Sequence, residues 1–191
     1  MDPRQRTGPK TALITGASSG IGYELAELFA QDGYNLVLTA RSEEKLRSRA
    51  DELAAKFGIS AKIIAKDLSS PQSPEAVFNE LQRESISVDV LVNNAGFGNH
   101  GPFHQTELAD ELEMIQVNLT SLTHLTKLFV REMVRRGSGK ILNVASVAAF
   151  LPGPWMAVYY ATKAYVLSFS EALSEELRGT DRFRSKRIPL S

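Results

Sequence analysis

The chain has 191 residues, 43% of them hydrophobic and 23% charged, a composition typical of one soluble globular domain. Lysine plus arginine and aspartate plus glutamate each number 22, so the formal net charge is zero, and we predict no binding to nucleic acid or to a membrane surface. The absence of cysteine excludes disulfides, zinc-thiolate sites and cysteine nucleophiles.

The first ten residues, MDPRQRTGPK, are polar and lack the apolar segment of a signal peptide. No apolar run approaches the ~20 residues that a membrane-spanning helix needs. We therefore expect a disordered tail over residues 1–10, no membrane segment and a cytoplasmic protein.

Short runs rich in β-branched residues alternate along the chain with longer segments of helical period. Strands are predicted at 11–15, 35–40, 61–66, 88–94 and 140–146, and helices at 20–32, 42–57, 73–85, 106–136 and 157–178. Strands that are apolar on both faces and are each followed by a helix are typical of a parallel sheet covered on both sides. The sequence predicts a doubly wound α/β domain over residues 11–180.

The turn after the first predicted strand has the sequence TGASSGIG. Gly16 permits a tight turn, Gly20 lets the backbone approach a ligand, and Gly22 lets the helix pack close to the sheet. The helix that follows directs unpaired N–H groups at this place, beside the hydroxyls of Ser18 and Ser19. We predict a site for phosphate groups; the alternative is a glycine-rich turn that binds nothing.

The last predicted helix contains the stretch AVYYATKAY. Tyr159, Lys163 and Val166 recur at helical spacing and are predicted to face the sheet, whereas Tyr160 lies on a different surface. An inward lysine is unfavourable unless its charge has a partner, and Tyr159 is the nearest candidate. The alternative is a lysine whose stem passes a core tyrosine and whose charge reaches water.

The spacing of the three glycines resembles the short-chain dehydrogenase/reductase family. NNAG at 93–96 follows the fourth strand, Asn118 lies in the fourth helix, Ser146 closes the fifth strand, and Tyr159 with Lys163 forms Y-x-x-x-K. Ser146 precedes Tyr159 by 13 residues (159 minus 146), as the family pattern has it. The resemblance covers residues 11 to 180 and implies a Rossmann-like sheet and a nicotinamide cofactor.

The resemblance also implies catalytic roles. Tyr159 would be the general acid in carbonyl reduction and the base in the reverse direction, and Lys163 would favour its phenolate. Ser146 would donate a hydrogen bond to the oxygen of a small carbonyl or alcohol substrate. Asn118 would distort its helix and hold a water that joins Lys163 to solvent. Without the family pattern, Ser146 and Asn118 could equally be ordinary polar residues.

The choice of cofactor depends on the end of the second strand, where a carboxylate would bind the ribose of NAD. No carboxylate occurs there before Glu43, whereas Arg41 and Ser42 could bind the 2′-phosphate of NADP. We therefore favour NADP over NAD. Arg41 could instead stack on adenine or pair with a carboxylate of a helix.

Asp67 and Leu68 match the family positions near the adenine, and Asn94 with Gly96 the wall beside it; alternatively, Asp67 caps a helix before Pro71. The residues predicted to bind the cofactor are Gly16, Ser18, Ser19, Gly20, Ile21, Gly22, Arg41, Ser42, Asp67, Leu68, Asn94, Ala95, Gly96, Tyr159 and Lys163. No metal site is predicted, because Gly101 and Pro102 separate His100 from His104.

Two further expectations concern assembly and the end of the chain. The last helix carries apolar residues away from its sheet-facing stripe, which predicts a homodimer through the fourth and fifth helices. After residue 180 the sequence becomes basic and shows no strand-like alternation, so we expect an irregular tail over 181–191 and a domain without the last strands of the family fold. The alternative functions are a truncated, inactive reductase and a non-catalytic nucleotide-binding protein.

Overall fold

The computed structural model describes residues 8–178. The elements in chain order are β1 (Thr11–Thr15), α1 (Gly20–Gln31), β2 (Asn35–Ala40), α2 (Glu43–Phe57), β3 (Ala61–Ala65), α3 (Ser73–Arg83), β4 (Val90–Asn93), α4 (Leu108–Ile115), a π-helical segment (Gln116–Ser121), α5 (Leu122–Arg136), β5 (Lys140–Asn143), a 3-10 helix (Val147–Phe150) and α6 (Ala157–Arg178). The tail predicted over 181–191 lies outside the described residues. So do residues 1–7 of the tail predicted over 1–10.

The five strands form one parallel sheet in the order β3-β2-β1-β4-β5. The chain runs outward from β1 through β2 to β3 and then returns to the other side of β1 to form β4. In open sheets of this kind, ligands bind where the direction of winding reverses, beyond the carboxyl ends of the strands. The prediction of a doubly wound domain is confirmed, and the site is expected above the ends of β1 and β4.

The core has two layers, one on each face of the sheet. On one face Leu13 packs in a cluster with Phe129 of α5, and on the other Ile14 packs in a cluster with Ala26 of α1 and Leu46 of α2. Neighbouring residues of a strand point to opposite faces, so β1, which is buried at every position and apolar from Ala12 to Ile14, supplies both layers. Burial on both sides holds the ends of β1 and β4 in fixed places.

One predicted helix differs from the structure. The segment 106–136 forms α4 and α5 joined by the π-helical segment, which has the wider turn that an extra residue produces. Asn118 lies inside this segment, so the distortion implied by the family resemblance is present. No helix within residues 8–178 is both long enough and apolar enough to span a bilayer.

Candidate active site

The turn between β1 and α1 requires glycine at three positions for three reasons. Gly16 has a φ of +67°, and a Cβ there would lie 2.9 Å from Ala95 Cα. A Cβ on Gly22 would overlap Gly16 O and Asn94 Nδ2. Gly20 has a φ of +56°, in the left-handed region that favours glycine, and a Cβ there would meet open space.

Thr15 ties this turn to the end of β4. Its hydroxyl oxygen accepts hydrogen bonds from Asn94 N and from Ala95 N, both at 2.9 Å, and donates to Val92 O at 3.3 Å. Asn94 Nδ2 donates to Thr15 O at 3.0 Å. The Asn94 side chain therefore braces the glycine turn, and its place in the wall beside the adenine stays a prediction. The sequence analysis missed Thr15, whose only signal is its place just before the first glycine.

The N-terminus of α1 provides donors for an anion. Ser19 is the residue before the helix and makes no side-chain cap hydrogen bond, and the first turn contains no acidic residue. The first N–H groups of a helix have no partner within the helix, and the helix dipole adds partial positive charge there. Ser18 and Ser19 line the cavity in front of these groups. The turn fits a phosphate group.

A cavity of about 350 Å³ extends from this turn over the ends of β2 and β3. Arg41, Lys45 and Lys66 line it, together with Asp67 and Glu113. Arg41 is largely exposed, and its Nη1 lies 3.9 Å from Glu113 Oε1. Three cations in one cavity suit a cofactor with an additional phosphate.

The sequence analysis did not identify two of these cations. Lys45 lies four residues after Arg41, in the first turn of α2, and Lys66 directly precedes Asp67. Both positions can be read from the sequence, but isolated lysines at the ends of strands and helices are common on protein surfaces and do not by themselves indicate a site. Ser42 caps α2, where its hydroxyl oxygen accepts a long hydrogen bond from Lys45 N at 3.4 Å, and it lines the same cavity.

Asp67 stabilises the loop after β3. Its Oδ1 accepts a hydrogen bond from Ser69 N at 3.0 Å, and α3 begins only at Ser73, with Gln72 as the residue before it. The alternative of Asp67 as a helix cap is therefore wrong. Asp67 lines the cavity together with its neighbour Leu68, which is consistent with the position near the adenine that the resemblance implies.

A second cavity, of about 560 Å³, opens on the other side of the glycine turn. It contains Ser146, Tyr159 and Lys163, which the sequence analysis had grouped. The two cavities share walls, so together they form one cleft along the ends of the strands. The shared residues are Gly16, Ser19, Ala95 and Gly96. Ile21, Asn94, Val144, Ala145 and Val147 line the second cavity as well.

Ser146 is the residue before the 3-10 helix, and its side chain has a fixed orientation. The Oγ atom accepts a hydrogen bond from Ala148 N at 3.2 Å. A serine hydroxyl that accepts in this way keeps its own hydrogen free for donation. Ser146 can therefore donate to an oxygen atom in the cavity while its oxygen remains held by the helix.

Lys163 is buried, with only 7% of the residue exposed. Its Nζ donates to Val144 O at 3.0 Å and lies 5.8 Å from the centre of the Tyr159 ring. Burial lowers the pKa of the Lys163 ammonium. Within residues 8–178 this ammonium forms no ion pair with a carboxylate, so a negative charge developing nearby would be stabilised.

Tyr159 has its ring held against the backbone. A Cβ on Gly98 would lie 2.9 Å from Tyr159 Cδ2, so only glycine leaves room for the ring there. No hydrogen bond to the phenol oxygen of Tyr159 forms within the described part of the chain, and this group lines the open cavity. Tyr160 instead packs over Gly153, where a Cβ would overlap its ring. The prediction that Tyr159 and Tyr160 lie on different surfaces of the helix is confirmed.

Asn118 connects the loop after β4 to α6. Its Oδ1 accepts a hydrogen bond from Phe97 N at 3.1 Å, and its Nδ2 donates to Phe97 O at 2.9 Å and to Thr162 Oγ1 at 3.1 Å. A Cβ on Gly96 would lie 2.9 Å from Asn118 Oδ1 and 3.7 Å from Lys163 Nζ. Asn118 is therefore next to Lys163 and fixes the backbone that borders both cavities.

Residues 10–181 match the protein family described as short chain dehydrogenase. A similar curated protein is the very-long-chain 3-oxoacyl-CoA reductase of Phaeosphaeria nodorum, which is 37% identical over 172 residues. That alignment covers 87% of this chain but only 50% of the reductase. The chain thus spans about half the length of this curated relative.

Two solved structures are similar over most of the chain. The bulky-bulky ketone specific alcohol dehydrogenase from Comamonas testosteroni has a TM-score of 0.86 and 38% identity, covering 91% of this chain and 70% of that enzyme. A short-chain dehydrogenase from Sphingobium yanoikuyae in complex with NADPH has a TM-score of 0.85 and 40% identity, with coverages of 90% and 67%.

Proposed function

This chain belongs to the short-chain dehydrogenase/reductase family, and from that premise we propose that it transfers a hydride between NADP(H) and the carbonyl or hydroxyl group of a small substrate. One observation carries the proposal. The cavity that fits phosphate groups and the cavity that contains Ser146, Tyr159 and Lys163 share walls and form a single cleft. A non-catalytic nucleotide-binding protein would need only the first cavity.

NADP fits the residues of the cleft. The N-terminus of α1 with Ser18 and Ser19 would bind the central phosphates, and Arg41 with Lys45 the 2′-phosphate. The NADPH complex of the Sphingobium yanoikuyae enzyme supports this choice. When bound, the nicotinamide supplies the hydride in reduction and accepts it in oxidation.

The proton in this reaction would move through Tyr159. In carbonyl reduction the phenol donates its proton to the carbonyl oxygen, and the nearby ammonium of Lys163 stabilises the phenolate that remains. Ser146 donates a second hydrogen bond to the same oxygen and fixes its position. Asn118 holds the backbone beside Lys163, where a water could resupply the proton.

The experiment that tests this function uses the purified 191-residue chain. NADPH and NADH are titrated while nucleotide fluorescence is followed, and oxidation of NADPH is then measured with a panel of ketones and aldehydes. We expect tighter binding of NADPH than of NADH, and oxidation that depends on the carbonyl compound. A chain that binds neither nucleotide, or that binds NADPH and oxidises it with no carbonyl compound of the panel, would contradict the proposal.

We also propose that the protein forms a two-fold dimer through α4, α5 and α6. Leu108 and Leu112 lie one helical turn apart on α4 and are exposed, and Tyr165 of α6 is partly exposed while stacked on Phe169. In sedimentation at micromolar concentration we expect a dimer that Leu112→Asp dissociates. Leu28→Asp on the exposed face of α1 is the control that should remain dimeric. The domain limits and the cytoplasmic location stay predictions from the sequence.

A further inference from the structure

A line of exposed apolar side chains continues outward from the second cavity. Val147 lines the cavity next to Ser146 and is nevertheless 70% exposed. Phe150 lies three residues later in the same 3-10 helix and is 72% exposed. A 3-10 helix has three residues per turn, so side chains at i and i+3 lie one above the other. Phe150 therefore extends the surface that Val147 begins inside the cavity.

Trp155 lies on the loop before α6, which borders the same cavity at Tyr159. Its ring stacks on His100 with 6.1 Å between ring centres, and its carbonyl accepts a hydrogen bond from Gly101 N at 2.7 Å. Trp155 has a φ of +68°, which is unfavourable for a bulky residue and is maintained by these contacts. The next residue, Met156, lies with the Tyr159 ring beside Gly98, so the loop borders the catalytic tyrosine.

The segment of chain that borders the mouth of this cavity contains no charged residue. No Asp, Glu, Lys or Arg occurs in residues 141–162, which include Ser146, the 3-10 helix, the Trp155 loop and Tyr159. This segment therefore offers a sugar or a small carboxylate no charged side chain, and the one charged residue within 8–178 that lines the second cavity is the buried catalytic Lys163. Large exposed apolar side chains grouped within nine residues indicate a surface that binds an apolar group.

We propose that the substrate is a ketone with a bulky apolar substituent, and that Val147 and Phe150 bind this substituent while Ser146 and Tyr159 contact the carbonyl oxygen. The inference rests on the proposed function, because the substrate class is assigned to that same site. Continuity with the catalytic cavity favours a substrate over a second copy of the chain as the occupant, since Val147 lies in both the cavity and the exposed line.

The chain contains a single tryptophan, so the fluorescence of Trp155 reports on this mouth without interference. The 191-residue chain is titrated, in the presence of oxidised NADP so that no ketone is reduced, with the straight-chain methyl ketones from 2-butanone to 2-decanone, and with dihydroxyacetone as a polar ketone. We expect the emission of Trp155 to change and the Kd to fall about twofold to fourfold for each added methylene, as burial of apolar area requires. Dihydroxyacetone should leave the emission unchanged.

Three variants locate the effect. Phe150→Ser should weaken binding of 2-decanone about fivefold or more and leave 2-butanone nearly unchanged, whereas Val147→Ser, inside the cavity, should weaken both; both side chains are exposed, so neither change should unfold the chain. Leu28→Ser removes a similarly exposed apolar side chain from α1 and is the control. An effect of the control as large as that of Phe150→Ser would overturn the inference.

The remaining outcomes separate this inference from the proposed function. Ketones that bind more tightly with length but are never reduced support the apolar mouth and contradict the reductase. Equal affinity for 2-butanone and 2-decanone, together with carbonyl-dependent NADPH oxidation, overturns the apolar mouth and leaves the reductase standing. Self-association that Phe150→Ser abolishes, with no response of Trp155 to ketones, assigns the surface to a second copy and also overturns the inference.

Discussion

The glycine turn and the catalytic residues Ser146, Tyr159 and Lys163 lie on one cleft but are held in place by different means. The turn is fixed by close packing, because Gly16 and Gly22 contact the backbone and Asn94 so closely that an added Cβ would not fit. Two of the catalytic residues are fixed by polar atoms, through the Lys163 hydrogen bond to Val144 O and the Ser146 hydrogen bond from Ala148 N, and the Tyr159 ring packs against Gly98.

This difference predicts how each region fails. Added volume should disrupt the turn and with it the affinity for the cofactor, because interiors packed at this density relax only partly. Removal of one polar atom should disable the catalytic residues while the sheet and the cofactor cavity stay intact. The predictions below test this contrast, from the largest expected effect to the smallest.

Tyr159→Phe should lower kcat for carbonyl reduction by about 10²- to 10⁴-fold, the range expected when a general acid is lost. The Kd for NADPH should change less than about twofold, because the ring remains against Gly98 and the phosphate-binding turn is untouched. Turnover and nucleotide titration are measured on the same preparation. Tyr160→Phe, whose ring packs over Gly153, is the matched control and should keep its activity. Retained turnover in Tyr159→Phe would reject Tyr159 as the acid.

Gly22→Ala should weaken NADPH binding by at least about tenfold and lower the free energy of unfolding by roughly 1–3 kcal/mol, the usual effect of overpacking. The new Cβ would push Gly16 O and the Asn94 amide apart and thereby displace the turn. Nucleotide titration and thermal melting measure the two effects. Gly58→Ala is the control for nucleotide affinity, because Gly58 faces open space at the end of α2; its positive φ makes alanine unfavourable there, so this variant should lose stability and keep its affinity for NADPH. Normal NADPH affinity in Gly22→Ala would show that the turn accommodates an added methyl group, which would contradict this prediction.

Arg41→Asp should raise the Kd for NADPH about tenfold or more and change the Kd for NADH much less, since a carboxylate would then face the 2′-phosphate. The ratio of the two dissociation constants is the quantity to measure, at low and at high salt, because the exposed Arg41 is partly screened. Arg47→Asp on α2, which lies outside both cavities, is the control. An equal loss for both nucleotides would refute the role of Arg41 in choosing the cofactor.

The glycine turn was predictable from sequence because its cause is local. Three glycines at fixed spacing between a strand and a helix determine the backbone path, whatever the rest of the chain does. Tyr159 and Lys163 were predictable for a related reason, since their spacing of four residues places them on one helix face together with the buried Val166. The order of the apolar strands likewise predicted the fold class.

The rest of the site depends on contacts between distant parts of the chain. Thr15 and Asn94 are 79 residues apart and meet only because β1 pairs with β4. The π-helical segment leaves the apolar pattern of 106–136 almost unchanged, so periodicity could not reveal it. Lys66 contributes to the site only because β3 ends beside β2, which brings Lys66 and Arg41 to one cavity.

Lys163→Met should abolish carbonyl reduction. It should also raise the melting temperature, and this rise is the smallest effect predicted here. Burial lowers the pKa of Lys163 in the folded chain below its ordinary 10.5, so the unfolded chain binds this proton more tightly than the folded one. The charged lysine therefore destabilises the fold at neutral pH, and this destabilisation declines as the pH rises through the folded-state pKa. Removing it should therefore raise the melting temperature at neutral pH.

Thermal melting of the wild type and Lys163→Met from neutral to alkaline pH measures this effect, and the difference in melting temperature should shrink as the pH rises. Lys127→Met, at an exposed position of α5, is the control and should show little difference at any pH. A lower melting temperature in Lys163→Met would mean that the hydrogen bond to Val144 O stabilises the fold more than burial of the ammonium destabilises it. The expected result would instead show that the fold retains an unfavourable buried charge at the place where the reaction needs an ammonium, whereas the glycine turn contains no such conflict.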